Sequence, residues 1–131
     1  MPLLAFLAVN LFRFNRISKY FHRFFFSVQK GAITSMLENK FQAGLIKELK
    51  ERFPGCLVLK NDPNYIQGFP DLTVLYNNKW ALLEAKREGK ASHRPNQDFY
   101  ISKANDMSFA RFICPENKEE VLYELQQAFE S

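Results

Sequence analysis

Residues 71–86 read DLTVLYNNKWALLEAK, and this stretch predicts a two-stranded antiparallel hairpin. Strand-forming residues stand on both sides of Asn77-Asn78, a pair that tolerates the backbone conformations of a tight two-residue turn. Counting outward from this turn places Asp71 directly opposite Glu84. Because side chains alternate along a strand, Lys86 projects from the same face as Glu84. The hairpin therefore predicts two carboxylates and one ammonium group on a single face.

Two facing carboxylates need a physical explanation. Directly opposed residues have their Cβ atoms about 4.5–5.5 Å apart, and like charges at that separation are destabilising. A divalent cation between Asp71 and Glu84 removes the repulsion, and Mg²⁺ or Mn²⁺ is the hard, oxygen-liganded kind that suits such a site. The metal would polarise a phosphate and lower the pKa of a bound water, while Lys86 would orient that water or balance charge. The alternative is that Asp71 only begins a strand and that Glu84 and Lys86 decorate an exposed edge.

The elements around the hairpin predict a mixed α/β domain in which helices flank the sheet, in the order α-β-β-β-α-β-α. A capping box from Ser35 to Glu38 predicts that the first helix begins at residue 35, and Pro54-Gly55 ends that helix. Leu83 and Ala85 are expected to point into the core. The other predicted elements are a short buried strand over Cys56–Lys60, a helix from Pro95 to about residue 104, a strand over 109–114 and a helix over 119–129.

The first 34 residues differ in composition from the rest of the chain. Residues 1–37 hold five basic residues and no acid, and seven of the fourteen phenylalanines precede Lys30. The segment could be an organellar transit peptide, a stretch that lies on a membrane or nucleic acid, or an upstream extension with Met36 as the true initiator. We favour the extension. The predicted organisation is thus an N-terminal basic aromatic extension over residues 1–34 and one folded domain over residues 35–131.

Charge and cysteine content limit the class of protein. The formal net charge is +4, but the 94 residues after residue 37 hold 13 basic and 14 acidic side chains, so the predicted domain is not basic. Any DNA affinity must come from local patches and bound cations. Cys56 and Cys114 adjoin apolar runs and are expected to be buried, reduced thiols, as in an intracellular, cytoplasmic protein. Organellar targeting is not favoured, and a membrane partner is not expected. The apolar run Leu3–Val9 is too short to span a bilayer.

The motif Gly68-Phe69-Pro70-Asp71-Leu72, followed by Leu83-Glu84-Ala85-Lys86, resembles the signature of the PD-(D/E)XK nuclease superfamily. Downstream, Arg94-Pro95-Asn96-Gln97 opens a helix. This makes the chain most similar to VRR-NUC nucleases and to phage and archaeal Holliday-junction resolvases. The resemblance covers about residues 36–128 and implies a restriction-endonuclease-like core and Mg²⁺-dependent cleavage of DNA.

The resemblance also implies roles for individual residues. Asp71 and Glu84 would bind the metal with the backbone carbonyl of Ala85, and Lys86 would position or activate the attacking water. Glu38 matches the helix-borne acid near the metal, although its capping-box role competes for the same side chain. Gln97 matches the helix glutamine that borders the site, although glutamine is also common in a first helical turn.

A further group of side chains is predicted to contact the nucleic-acid backbone. They surround the predicted cleft, and such a patch would make binding salt-dependent. The alternative is a solvated loop and an ordinary surface lysine. The residues are Lys60, Arg87, Lys90, His93 and Arg94.

The sequence thus favours a structure-selective endonuclease that acts on junctions or branched DNA, with Mg²⁺ or Mn²⁺ and no small-molecule cofactor. A homodimer is expected because one small site cuts one strand, so cleavage of both strands needs two sites. The first alternative is a sequence-specific or homing nuclease of the same fold. A different class is a non-catalytic nucleic-acid-binding module.

Overall fold

The structure, a computed structural model, describes the backbone of residues 2–131 and the side chains from residue 18 onward. The contacts divide the chain into two units, Met1–Met36 and Leu37–Ser131. The apolar run Leu3–Val9 lies outside the described side chains. Along residues 2–131, no helix combines the length and the apolar character that crossing a bilayer would require.

The predicted order α-β-β-β-α-β-α is confirmed. The four strands form one mixed sheet in the order β1-β2-β3-β4, in which β3 and β4 are parallel and the other neighbours are antiparallel. Helix α2 forms the crossover between the two parallel strands, as a parallel connection requires. The elements are α1 (Pro2–Arg52), β1 (Leu57–Lys60), β2 (Leu72–Tyr76), β3 (Lys79–Ala85), α2 (Pro95–Met107), β4 (Phe109–Ile113) and α3 (Lys118–Glu130).

The hairpin of β2 and β3 has the predicted register. Tyr76 pairs with Lys79 next to the turn, and Leu72 pairs with Leu83 at the far end. Asn77 has a φ of 55°, a left-handed conformation that asparagine adopts more readily than most residues. The two-residue turn therefore fixes which side chains face each other across the hairpin.

Each face of the sheet has its own apolar cluster. One face packs against residues 41–53 and α3, and the predicted burial of Leu83 and Ala85 in this cluster is confirmed. The other face carries a smaller cluster in which Leu82 and Ala110 pack against Ile101 and Ala104 of α2. By strand alternation, Glu84 and Lys86 follow Leu82 on this second face. The smaller cluster covers only part of that face. Glu84 and Lys86 lie on the same face, beyond Leu82 along the chain.

The prediction that the first helix begins at Ser35 is wrong. Ser35 lies inside α1, which begins at Pro2. A capping box satisfies backbone N–H groups that have no partner at a helix start, but within a continuous helix those groups bond to the preceding turn. The residues before Ser35 include no helix-breaking proline after Pro2, so the helix continues through the motif.

The prediction of a buried strand over Cys56–Lys60 is wrong in its burial. Cys56 is buried, but it precedes β1, and within the strand Leu57 is 60% exposed and Leu59 is 48% exposed. The reason is that β1 lies at the sheet edge and α2 packs over β3 and β4 instead. The two cysteines are buried free thiols, as predicted, and burial raises the pKa of both.

Candidate active site

Asp71 and Glu84 lie face to face, as the hairpin register predicts. Asp71 directly precedes β2, and Glu84 lies near the end of β3. The backbone N–H of Asp71 donates to Oε2 of Glu84 at 3.1 Å, and the backbone N–H of Ala85 donates to Oδ2 of Asp71 at 3.0 Å. Each carboxylate is therefore held by a backbone group on the opposite side of the hairpin.

Glu84 and Lys86 do not lie on an exposed edge of the sheet, because both side chains are buried. Glu84 is 4% exposed and Lys86 is 9% exposed, although isolated charged side chains are rarely buried to this degree. A buried charge requires a partner or a specific hydrogen-bond network. The interpretation of Glu84 and Lys86 as surface decoration is therefore wrong.

The carboxylates of the site have perturbed acidity. Burial, followed by the nearby charge of Asp71, raises the pKa of Glu84 from an ordinary 4.5 to about 7. Burial also raises the pKa of Asp71, against hydrogen bonds from the Ala85 backbone and the Glu84 carboxyl that lower it. The Lys86 ammonium opposes the rise of both pKa values. Carboxyl groups whose pKa values are perturbed in this way are typical of functional sites.

Glu38 adds a third acid to this neighbourhood. Its charge raises the pKa of both Asp71 and Glu84, so it lies close enough for its field to reach the pair. The capping-box role of Glu38 is wrong, because Glu38 lies within α1 and not at its start. The other role considered for this side chain, that of an acid near the metal, stays a prediction.

The donor set fits a hard divalent cation. Asp71 and Glu84 offer carboxylate oxygens, and Mg²⁺ is commonly bound by one or two carboxylates with water filling the remaining positions. Within the described side chains, no three histidine, cysteine, aspartate or glutamate residues form a ready metal-binding group by themselves. A cation here would therefore rely on two carboxylates, a backbone carbonyl such as that of Ala85, and water.

Gln97 connects the acids to the lysine. Its amide nitrogen donates to Oε1 of Glu84 at 2.5 Å, and its amide oxygen accepts from Nζ of Lys86 at 3.0 Å. The same oxygen accepts from the backbone N–H of Arg94, which fixes Gln97 in the first turn of α2. The Lys86 ammonium also donates to the carbonyl of Ser92 at 3.3 Å and lies 3.8 Å from Oε1 of Glu84. Gln97 thus bridges the carboxylate of Glu84 and the ammonium group of Lys86.

Asn61 supports the site, and the sequence analysis missed it. Its side-chain nitrogen donates to the Pro70 carbonyl at 2.7 Å, and its side-chain oxygen accepts from the Thr73 hydroxyl at 3.0 Å. Its backbone N–H donates to the Asp71 carbonyl at 2.8 Å. These bonds fix the chain on both sides of Asp71. No sequence signal separates this asparagine from the other polar residues of its loop.

The predicted nucleic-acid contacts lie in two places. Arg87, Lys90, His93 and Arg94 lie in the connection between β3 and α2 that also provides the Ser92 carbonyl. Arg87 pairs with Glu88 at 3.0 Å, and His93 stacks on Phe112 with ring centroids 3.7 Å apart and contacts Asp98 at 3.1 Å. Lys90 and Arg94 are exposed. Lys60 is exposed at the end of β1. It pairs with Leu72, the residue that follows Asp71.

At Gly68 the loop before Asp71 lies close to the Asn96 side chain of α2. It has a φ of +85°, and a Cβ atom there would lie 2.4 Å from Cγ of Asn96, whose side chain donates to the Gln67 carbonyl at 3.0 Å. We expect Gly68→Ala to lower the free energy of unfolding by about 2–4 kcal/mol, from left-handed strain plus overpacking. Urea unfolding monitored by circular dichroism measures this loss.

Gly55 provides a matched control for that substitution. It has a φ of +86°, but a Cβ atom there would meet nothing within 4 Å. Gly55→Ala should therefore cost only the conformational strain, about 1–2 kcal/mol. Equal losses for the two variants would contradict the close approach of the loop to α2.

The arrangement as a whole can bind a cation between two acids and present an ammonium group beside it. The acids come from a hairpin whose register is fixed, and the lysine is held by a helix terminus through Gln97. Polarisation of a phosphate and orientation of a water are the reactions that such groups support. Comparison with models of known protein families finds no match to this chain, and comparison with curated proteins finds none either.

Proposed function

We propose that this chain is a Mg²⁺-dependent endonuclease that hydrolyses phosphodiester bonds of DNA, with Asp71, Glu84 and Lys86 at its active site and a restriction-endonuclease-like core. The observation that carries the proposal is the opposed placement of Asp71 and Glu84, each held by a backbone N–H from across the hairpin, beside the buried Lys86. Two opposed, buried carboxylates repel each other when both are ionised, and a bound cation would remove that cost. A protein that only binds nucleic acid gains nothing from that cost.

Each residue of the site would have its own role in the reaction. Asp71 and Glu84, with the Ala85 carbonyl, would hold Mg²⁺, and Mn²⁺ suits the same oxygen donors. The cation would polarise the scissile phosphate and supply a water of lowered pKa. Lys86 would position that water and stabilise the negative charge that develops on the phosphate. Gln97 is a positioning residue in this scheme, since its bonds to Glu84 and Lys86 hold both in place.

The proposed substrate is branched or junction DNA. Lys60 is exposed opposite Leu72, which follows Asp71, and the exposed Lys90 and Arg94 lie in the connection that follows Lys86. These side chains would contact phosphates on more than one strand. Because one site cuts one strand, symmetric cleavage of a junction would need two copies of the chain. We therefore propose a homodimer as the active form.

A substrate panel tests this proposal. The full chain is incubated with a four-way junction, a flap, a duplex and a single strand, in Mg²⁺ and in a chelator, and the products are resolved on denaturing gels. We expect cleavage of the junction in Mg²⁺ and none in the chelator. Absence of cleavage from every substrate in both Mg²⁺ and Mn²⁺ would overturn the proposal.

A further inference from the structure

Residues 18–36 of α1 expose an unusual amount of apolar surface. Tyr20, Phe21 and Phe24 are 62%, 65% and 68% exposed, and Phe25 and Val28 are 50% and 55% exposed. Successive residues of an α-helix are separated by about 100° around its axis. At that spacing these side chains and Ala32 share one side of the helix. We call this side the aromatic face.

The opposite side of the same segment carries the basic and polar residues, together with the exposed apolar side chains of Phe26 and Ile33. Lys19, Arg23 and Lys30 lie together there with Ser27 and Thr34, because they recur at spacings of three and four residues. Residues 1–37 contain no acid, so no side chain within them offsets these charges. The segment is therefore an amphipathic helix with an aromatic face and a basic side.

We propose that residues 18–36 form an interfacial helix that adsorbs on the surface of an anionic lipid bilayer, with its axis in the plane of the membrane. The aromatic face would enter the boundary between headgroups and acyl chains, where aromatic side chains are enriched. Lys19, Arg23 and Lys30 would remain among the anionic headgroups. The proposal departs from our expectation from the sequence, which considered a stretch that lies on a membrane as one of three interpretations of the segment and favoured an upstream extension.

A bilayer explains both sides of the helix, and nucleic acid explains only one. Phosphates of DNA would attract the basic side, but the aromatic face would then remain in water. Exposed apolar patches of this kind mark interaction sites on soluble proteins. An anionic bilayer offers an apolar phase and negative charge within the width of one helix, so it satisfies both observations.

Vesicle sedimentation tests the proposal. The full chain is mixed with vesicles of phosphatidylcholine alone or of equal parts phosphatidylcholine and phosphatidylglycerol. We expect the chain to sediment with the anionic vesicles, to do so less at high salt, and to remain in the supernatant with phosphatidylcholine alone. No sedimentation with the anionic vesicles would overturn the proposal.

Phe24 and Phe26 form a matched pair for this experiment. Both are 68% exposed, but Phe26 lies on the basic side, one turn before Lys30. We expect Phe24→Ser to reduce the partition coefficient by about tenfold or more, since a phenyl ring leaves the apolar phase. Phe26→Ser should change it by less than about threefold, with equal helix content by circular dichroism. Equal losses for the two variants would contradict adsorption through the aromatic face.

The remaining partners are separate outcomes of the same measurements. Binding to duplex DNA that depends on Lys19 and Arg23, without vesicle binding, would assign the segment to nucleic acid and overturn the proposal. Self-association that Phe24→Ser removes, without vesicle binding, would do the same in favour of a second copy. Phe24→Ser should leave cleavage of free DNA unchanged, so this inference and the proposed nuclease activity can fail independently.

Discussion

Asp71→Asn is expected to reduce the Mg²⁺-dependent cleavage of junction DNA by about a thousandfold. Asparagine keeps the size of the side chain and an oxygen that can accept from the Ala85 backbone N–H. It removes the negative charge that would hold the cation. A metal supplies several kcal/mol of transition-state stabilisation, and each 1.4 kcal/mol corresponds to a factor of ten in rate. Single-turnover cleavage of the junction measures the loss.

Asp106→Asn is the matched control, because Asp106 is an exposed aspartate of α2. It should cleave at the wild-type rate within about twofold, as expected for a surface substitution away from the site. Equal activity of the Asp71→Asn and wild-type proteins would show that the cleavage comes from a contaminant, and it would contradict the assignment of Asp71.

The second large effect concerns the pH dependence of stability. The pKa of Glu84 is about 7 in the folded chain and 4.5 without its surroundings. Between these values the folded protein binds more protons than the unfolded chain, so its free energy of unfolding falls as the pH rises. The shift corresponds to about 3 kcal/mol. Without metal, the protein should therefore be less stable at pH 8 than at pH 5.

Glu84→Gln should reduce this decline, because the amide does not titrate and only Asp71, whose pKa is also raised, remains to contribute from this pair. Glu51→Gln replaces an exposed glutamate of α1 and serves as the control that retains the decline. Urea unfolding at a series of pH values in a chelator measures all three proteins. An unchanged decline in Glu84→Gln would show that Glu84 is not the group responsible.

Mg²⁺ should reverse the decline at pH 8. A ligand that binds only the folded state stabilises it, by about 2.7 kcal/mol at a hundred times its dissociation constant. We expect Mg²⁺ to raise the melting temperature of the wild type at pH 8 and to leave that of Glu84→Gln nearly unchanged. Equal stabilisation of both proteins would place the bound cation elsewhere.

The hairpin was the most predictable part of the fold. A two-residue turn at Asn77 and Asn78 leaves no freedom in pairing, so the sequence alone was enough to predict the facing of Asp71 and Glu84. The order of elements was also predictable, since helical and strand periodicities differ. These features depend on contacts that are local in the sequence.

Features that depend on distant elements were not predictable. The apolar run over 56–59 is compatible with a central or an edge strand, and the placement of α2 decides which face is covered. The capping box at Ser35 is a local pattern that cannot show whether a helix continues before it. Gln97 forms its two hydrogen bonds, to Glu84 and to Lys86, only when the crossover brings the start of α2 back beside β3.

The two-residue turn at Asn77 and Asn78 also determines which changes in the gene the candidate site can tolerate. Substitutions of either asparagine by other turn-forming residues would leave the pairing intact. Insertion or deletion of a single residue would shift one strand by one position and direct Asp71 to the opposite face from Glu84. The turn is exposed, yet its length would be under the same selection as the acids themselves.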